Sequence, residues 1–548
     1  LAVLVSGLSA QVSEGRRRAG FPEDWTHHHI KFSAAALRQH PQMAAHEPRA
    51  AFQLYREARA AMARFSSSPR VASAVSAADH RDWSVLLGGG RIQFGQFPAK
   101  WSDNPFAPVT LANCDTDFVV YGLNVAGSAT QANLIGFNNL YSAQSGLALC
   151  GLQPTFLFAY NISTVPNGRI LTSPVLSLDG TKVAFIETVT TAGSRQTIVH
   201  VLNIPTSNPG PGFPEGSSAA SPAIPTAMTS LTIAANSDTR SSPWVDYATD
   251  TMYVAADTGS LYKITGVFGG TPTLAGSPWP LLINLNSQLT SPVLDVNGNA
   301  FMGAGNGRVY SVNVNTPGTV TAIQIGTPGL PSRGVFDTPI LDSTASTLLA
   351  ISSNSTIGVT PAAVVSQIDT NTLTEINRVA IGLGSTTGTA VTLYGGDFDN
   401  TYFSTPATGH MLVCGTGALD TTPTLYSLSF DSSAHLLAAA GGAQLSTDIT
   451  ARCGPITEFY NVNTPTTPTD FFFLGVTRNC SLGAPATAIG CVMSLSAAGT
   501  PTVAAASAGG ASGIIPDNDS VQPNASSIYF TSQGAPNTAY KLTQQGLN

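Results

Sequence analysis

Cations are scarce in this chain beyond residue 70, and three of the guanidinium groups that remain fall at equivalent places. Arg240, Arg333 and Arg452 each stand a few residues ahead of an apolar run. The contexts are Arg240-Ser241-Ser242-Pro243, the approach from Arg333 to Pro339, and Arg452-Cys453-Gly454-Pro455. Planar guanidinium forks at matched positions suit a carboxylate or a sugar acid. Asp246 and Asp337 lie in the same neighbourhoods, so the competing arrangement has the arginines pairing with aspartates and closing the space between.

A second cluster, His27-His28-His29, offers imidazole donors to Zn²⁺ or Cu²⁺, with Glu23 or Asp24 and His40 or His46 as further ligands. Consecutive residues cannot all face one ion and the spacing matches no metal-site pattern, which favours a packed or solvent-facing histidine cluster. Asp246, Asp295 and Asp342 recur near strand ends, where paired carboxylates for glycoside hydrolysis compete with plain turn chemistry. Asp295-Val296-Asn297-Gly298-Asn299 opens like a calcium loop, but Ala300 stands where glycine is needed and no downstream Glu completes it. Nucleophilic catalysis has no Gly-x-Ser-x-Gly elbow behind it, and His200, between Val199 and Val201, reads as a strand residue.

The elements that must position these residues follow from a repeated phrase. It is [Ser/Thr]-Pro, two apolar residues and an Asp turn, then a hairpin ending in X-Tyr-X-apolar. It reads Ser242-Pro243-Trp244-Val245-Asp246 … Leu261-Tyr262-Lys263-Ile264, and again Ser291-Pro292-Val293-Leu294-Asp295 … Val309-Tyr310-Ser311-Val312. Its opening returns at Thr338-Pro339-Ile340-Leu341-Asp342, and its ending at Thr424–Leu428 and Thr538–Leu542. Such a period means one supersecondary unit stacked on copies of itself. Units beginning near Asp117, Ser173, Ser242, Ser291, Thr338, Thr389, Cys453 and Ser512 predict an all-β fold. It is a β-propeller of about eight four-stranded blades, with seven as the alternative count. First strands line a propeller's axis, which brings the three arginines to the channel mouth. The repeated tyrosines are expected to pack between blades with each hydroxyl on a backbone partner. Ser/Thr-Pro is expected at strand entrances, where a missing N–H is tolerated. Residues 82–94, opening Asp82-Trp83-Ser84-Val85, are expected to close the ring by adding a strand to the blade holding Ile528-Tyr529-Phe530.

Charged residues make up 10% of the chain, against about 25% in ordinary soluble proteins. Residues 1–70 hold ten basic and five acidic side chains, while the remainder holds fourteen and twenty-six. An acidic body this poor in cations is no nucleic-acid binder. Residues 1–11 resemble the back half of a secretory signal, and no other apolar stretch approaches the ~20 residues that span a bilayer. Residues 12–75 form a separate basic segment with helical pattern, Phe52, Tyr55, Met62 and Phe65 recurring at helical steps behind Pro48. It is expected to pack on the propeller of residues 82–548 or to serve as an arm for self-association.

Cys114, Cys150, Cys414, Cys453, Cys480 and Cys491 suit three disulfides in an oxidising compartment, although fifteen pairings are possible.

The segments Tyr253–Ile264 and Phe301–Tyr310, in which a strand runs into a short Asp/Gly turn, resemble the PQQ-like (quinoprotein-type) β-propeller repeat. The resemblance implies the fold and, in the enzymes of that family, a quinone with Ca²⁺. Those enzymes carry a Trp-containing docking motif in most blades, and many have vicinal cysteines; this chain has five Trp and no Cys-Cys pair. The segment Phe21–His29 also looks like one found in secreted proteins of environmental bacteria. The expectation is a secreted or cell-surface binding or structural module without a cofactor, taking an anionic, carbohydrate or protein partner. The alternative is a degenerate quinoprotein-like oxidoreductase or a carbohydrate-active enzyme, with PQQ or Ca²⁺ bound.

Overall fold

Alternating apolar runs between Asp, Asn and Gly turns give eight sheets in the computed structural model, each built around consecutive antiparallel strands, three of them joined by a strand from residues 20–86. The structure describes residues 20–33, 37, 39, 44, 47–54, 80–103, 112–143, 149–205, 216–327, 334–358, 360–385, 391–461, 469–480, 489–517 and 525–543. The innermost blade strands are Ala99–Asp103, Val175–Leu176, Trp244–Asp246, Val293–Leu294, Ile340–Asp342, Asp397–Phe398, Thr457–Asn461 and Ile515–Asp517, here blades 1 to 8. Each is followed outward by its second, third and fourth strands, so the molecule is an eight-bladed β-propeller.

Closure follows the expected route. The strand His80–Leu86 pairs antiparallel with Thr538–Thr543 and becomes the outer strand of blade 8, which also contains Ser527–Thr531. Trp83 is buried in this seam, its ring against Phe137 and Tyr529 and its Nε1 donating to Leu140 O at 3.0 Å. Two lysines are sealed into the same region. Lys541 Nζ lies 2.8 Å from Asp82 Oδ2 and Lys100 Nζ 3.2 Å from Asp517 Oδ2, all four side chains fully buried. Buried charges survive only when paired in this way.

The first unit begins earlier than its sequence signal. Asp117 precedes the second strand of blade 1, Phe118–Gly122, whereas the first strand is Ala99–Asp103. That strand has no Ser/Thr-Pro entrance, which is why the repeat pattern passes over it.

The entrance serines do more than tolerate the neighbouring proline. Ser242 Oγ accepts the Ser173 N–H at 2.9 Å, and Ser291 Oγ accepts the Ser242 N–H at 2.7 Å, so the hydroxyls hand a hydrogen bond from blade to blade. Further round the ring, Asp337 Oδ2 accepts Gly395 N–H (2.7 Å), and Gly395 O accepts Ile456 N–H (3.0 Å). Two of the repeated tyrosines brace their own blades: Tyr426 OH donates to Thr416 O at 2.8 Å, and Tyr310 OH accepts from Asn306 Nδ2 at 2.7 Å.

Three disulfides form. Cys114–Cys150 ties two loops of blade 1, Cys414–Cys453 links blade 6 to the start of blade 7, and Cys480–Cys491 closes a loop within blade 7. Among the described residues, no helix is long and apolar enough to cross a membrane.

Candidate functional site

The axis of the ring is where recognition was expected, and the chain's own N-terminal segment fills it. Gly20–Glu23 is extended and pairs antiparallel with the first strand of blade 1, Gly20 opposite Asp103 and Glu23 opposite Lys100. A glycine is required at its start, because a Cβ at Gly20 would sit 1.7 Å from the Trp101 ring. One helical turn, Thr26–His29, then crosses to Ile30–Lys31, which adds in parallel to the first strand of blade 5. Blades 1 and 5 are opposite in a ring of eight, so residues 20–31 span the channel.

The crossing is anchored on the way. Trp25 is buried, its Nε1 donating to Pro243 O of blade 3 at 3.1 Å, with its ring edge-on to Trp244. Lys31 Nζ pairs with Asp397 Oδ1 of blade 6 at 2.7 Å. Residues 48–54 form a helix opened by Pro48 that caps the crossing. Phe52 stacks on Phe21 at 5.1 Å, and the Arg49 guanidinium lies 3.9 Å over the Trp244 ring while pairing with Glu47. Of the expected helical segment 12–75, Thr26–His29 and 48–54 are helical, whereas Gly20–Glu23 and Ile30–Lys31 are extended into the sheets. Its remaining periodic residues, Tyr55, Met62 and Phe65, lie outside the described residues.

The three histidines go to three places. His27 Nδ1 accepts the Asp24 N–H at 3.1 Å, and His29 Nδ1 is 2.9 Å from Trp25 O. His28 stacks on Phe97 at 4.3 Å; burial first, then the charges of Lys31, His29 and His27, holds its ring well below the usual histidine range. Asp24 is fully buried, and although burial pushes it up, bonds from His27 and Thr26 and the nearby charges of His27 and Arg49 hold it below its ordinary value. Among the described residues no three ligating side chains converge on a metal position; His40 and His46 lie outside them. A cavity of about 50 Å³ beside the crossing is lined by Asp24, His27, Arg49 and Gln53. Each of these presents one buried atom without a hydrogen-bond partner, and the volume is that of a few waters.

The channel-mouth arginines do not converge. Arg240 and Arg452 are exposed on blades 3 and 7, across the ring from one another, and Arg333 lies outside the described residues. Asp246 is at the far end of its strand, accepting from Ala248 N–H at 3.0 Å and Thr249 Oγ1 at 2.6 Å. Asp295 is likewise a hairpin residue, bonded to Asn297 N–H and Asn299 N–H. Asp337 belongs to the inter-blade belt, with His29 Nε2 at 3.8 Å. What Arg240 does have nearby is a carboxylate pair that the repeat pattern conceals. Asp257, in a hairpin turn of blade 3, donates its N–H to Asp238 O at 2.9 Å. Burial, then the charge of Asp238, pushes the Asp257 carboxyl up to about 7 against the pull of Arg240 and Arg195. Arg195, 52% exposed, lies 3.7 Å from Asp238.

The chain matches no family profile and no curated protein sequence. Among solved structures it is similar to BamB from Moraxella catarrhalis, at 13% identity over 85% of this chain and 100% of that one, with a TM-score of 0.43. It is also similar to a chain of the Mitotic Checkpoint Complex, at 10% identity over 74% and 92%, with a TM-score of 0.38. Neither likeness is close enough to transfer a ligand or a partner.

Proposed function

We propose that this chain is an exported β-propeller acting as a binding or structural module at a cell surface or in an extracellular matrix. Its axis is closed by its own N-terminal segment, and recognition is carried by its faces and rim. The observation that carries the reading is the crossing of residues 20–31 from blade 1 to blade 5. A quinone seated on the axis would have to displace Trp25 and the buried strand pairings on either side, so the residues present do not fit a cofactor there. The three disulfides support an oxidising compartment. Exposed Arg195, Arg240 and Arg452 on the strand-entry face support an anionic ligand such as an acidic polysaccharide.

Thermal unfolding with added ligands tests this. A ligand at a hundred times its Kd adds about 2.7 kcal/mol of stability. Oligogalacturonate is expected to raise the melting temperature saturably, an effect lost in the R240A/R452A double variant, while PQQ with Ca²⁺ leaves it unchanged. A saturable shift with PQQ and Ca²⁺, accompanied by dye-linked oxidation, overturns the module reading. Indifference to the oligosaccharide overturns the anionic ligand.

A further inference from the structure

Three consecutive strands of blade 2, Lys182–Val189, Gln196–Asn203 and Met228–Ala234, carry a connected set of side chains that the propeller's closure does not use. Ser230 Oγ is 2.9 Å from His200 Nδ1, and His200 Nε2 is 2.9 Å from Glu187 Oε2. His200 and Glu187 are fully buried, whereas Ser230 is exposed. We infer that blade 2 carries a serine nucleophile on its outer rim, Ser230, with His200 as general base and Glu187 positioning that base, directed at carboxylic esters.

The contacts follow from the register. Ser230 stands directly opposite His200, followed along the ladder by Thr229 opposite Val201 and Met228 opposite Leu202. The N–H of Asn203 donates to Ala227 O at 3.0 Å, which makes 203/227 a backbone-bonded pair. Backbone-bonded pairs alternate along an antiparallel ladder, which makes 201/229 and 199/231 bonded and 200/230 non-bonded. Side chains of non-bonded pairs stand closer together, bringing the hydroxyl onto the imidazole. The same alternation turns the N–H of Ser230 outward, along an edge to which no further described strand is paired. A free amide beside the nucleophile's own oxygen is the donor an acyl-transfer oxyanion needs.

Glu187 is built to hold the ring in one state. Its oxygens accept from Thr164 N–H (3.0 Å), Thr164 Oγ1 (2.6 Å) and Val165 N–H (3.4 Å) besides His200. Gly168 leaves room for it, since a Cβ there would lie 1.7 Å from Glu187 Oε1. Burial pushes this carboxyl up, but the His200 and Thr164 bonds outweigh it and hold it below its ordinary value. An ionised carboxylate at Nε2 requires a hydrogen on Nε2, leaving the Nδ1 lone pair for the Ser230 hydroxyl.

In the step, Ser230 Oγ bonds to the ester carbonyl carbon while its proton passes to His200 Nδ1. The carbon–alkoxide bond then breaks and the leaving alkoxide takes that proton, giving acyl-Ser230 and an alcohol. Water repeats the sequence, its proton moving to Nδ1 and on to Ser230 Oγ as the carboxylic acid departs. The cavity of about 310 Å³ near these strands is lined by Val201 and Thr229, which alternate with His200 and Ser230 and so face the other way. The acyl group must therefore be small, and its alcohol part of something that can lie along the rim, such as an acetylated polymer.

Intact-protein mass spectrometry after treatment with an alkyl fluorophosphonate, together with p-nitrophenyl acetate hydrolysis, tests the assignment. One adduct per chain is expected, mapping to Ser230 and absent from Ser230→Ala. Hydrolysis should fall at least tenfold in Ser230→Ala, and Glu187→Gln should lower kcat with KM unchanged. No adduct on the wild-type protein, an adduct elsewhere, or equal hydrolysis by Ser230→Ala would overturn it and leave the three side chains as a staple across blade 2.

Discussion

Among single residues, Asp117 is the group with the plainest consequence for stability. It is fully buried in blade 1, accepting from Tyr141 OH at 2.6 Å and from the Asp103 N–H at 2.7 Å. Burial pushes its carboxyl up to about 7, with Asp517 adding to the rise and Lys100, Tyr141 and the Asp103 N–H pulling back. A group raised in the folded state contributes stability that is full below its unfolded value of about 4 and is lost as pH climbs through the folded one. The loss between pH 4 and 7 is on the order of 4 kcal/mol. Urea midpoints across that window are expected to carry this fall in the wild type and to lose that component in Asp117→Asn; an unchanged slope would refute it. Residue-level chemistry was only partly legible in sequence. The Asp246 and Asp295 turns could be read locally, because Asx bonding involves neighbours two to four positions away. The Ser230–His200–Glu187 set was not, since it joins residues 13 and 30 positions apart and depends on register. The alternation of Val199 and Val201 around His200 signalled a strand but not which neighbours would face it.

Elements with the Ser/Thr-Pro entrance and X-Tyr-X ending were legible because local turn chemistry repeats there. Two kinds of element escaped. Ala99–Asp103 lacks the entrance, and Gly20–Glu23 and Ile30–Lys31 become strands only through the inner edges of distant blades. Nothing within Phe21-Pro22-Glu23-Asp24-Trp25 specifies such a partner, although the burial of Phe21, Trp25, Ile30 and Phe32 explains their apolar character. The helix behind Pro48 could be read from its period, but its position over the channel could not. If the crossing is part of the core, Trp25→Ala should cost about 3–5 kcal/mol, as large aromatic truncations in packed interiors do. Chemical denaturation reads this as a lowered midpoint at unchanged slope. A cost below about 0.5 kcal/mol, the range of surface substitutions, would mean that the segment merely rests in the channel.

For the whole molecule, eight blades leave a channel that must be filled or hydrated, and this chain fills it with its own residues 20–31. The ring is closed at the rim by His80–Leu86 and pinned at the axis by residues 20–31, so both closures draw on the chain before blade 1. The low charge density leaves hydroxyls and amides to satisfy the blade junctions, as the serine relay does. Hydrogen exchange of the intact protein, followed by peptide mass spectrometry over residues 20–32, addresses the central claim most directly. The account predicts that these amides are protected to the same degree as the first strands of blades 1 and 5. Exchange within seconds there, beside fully protected blades, would show an open channel and contradict it.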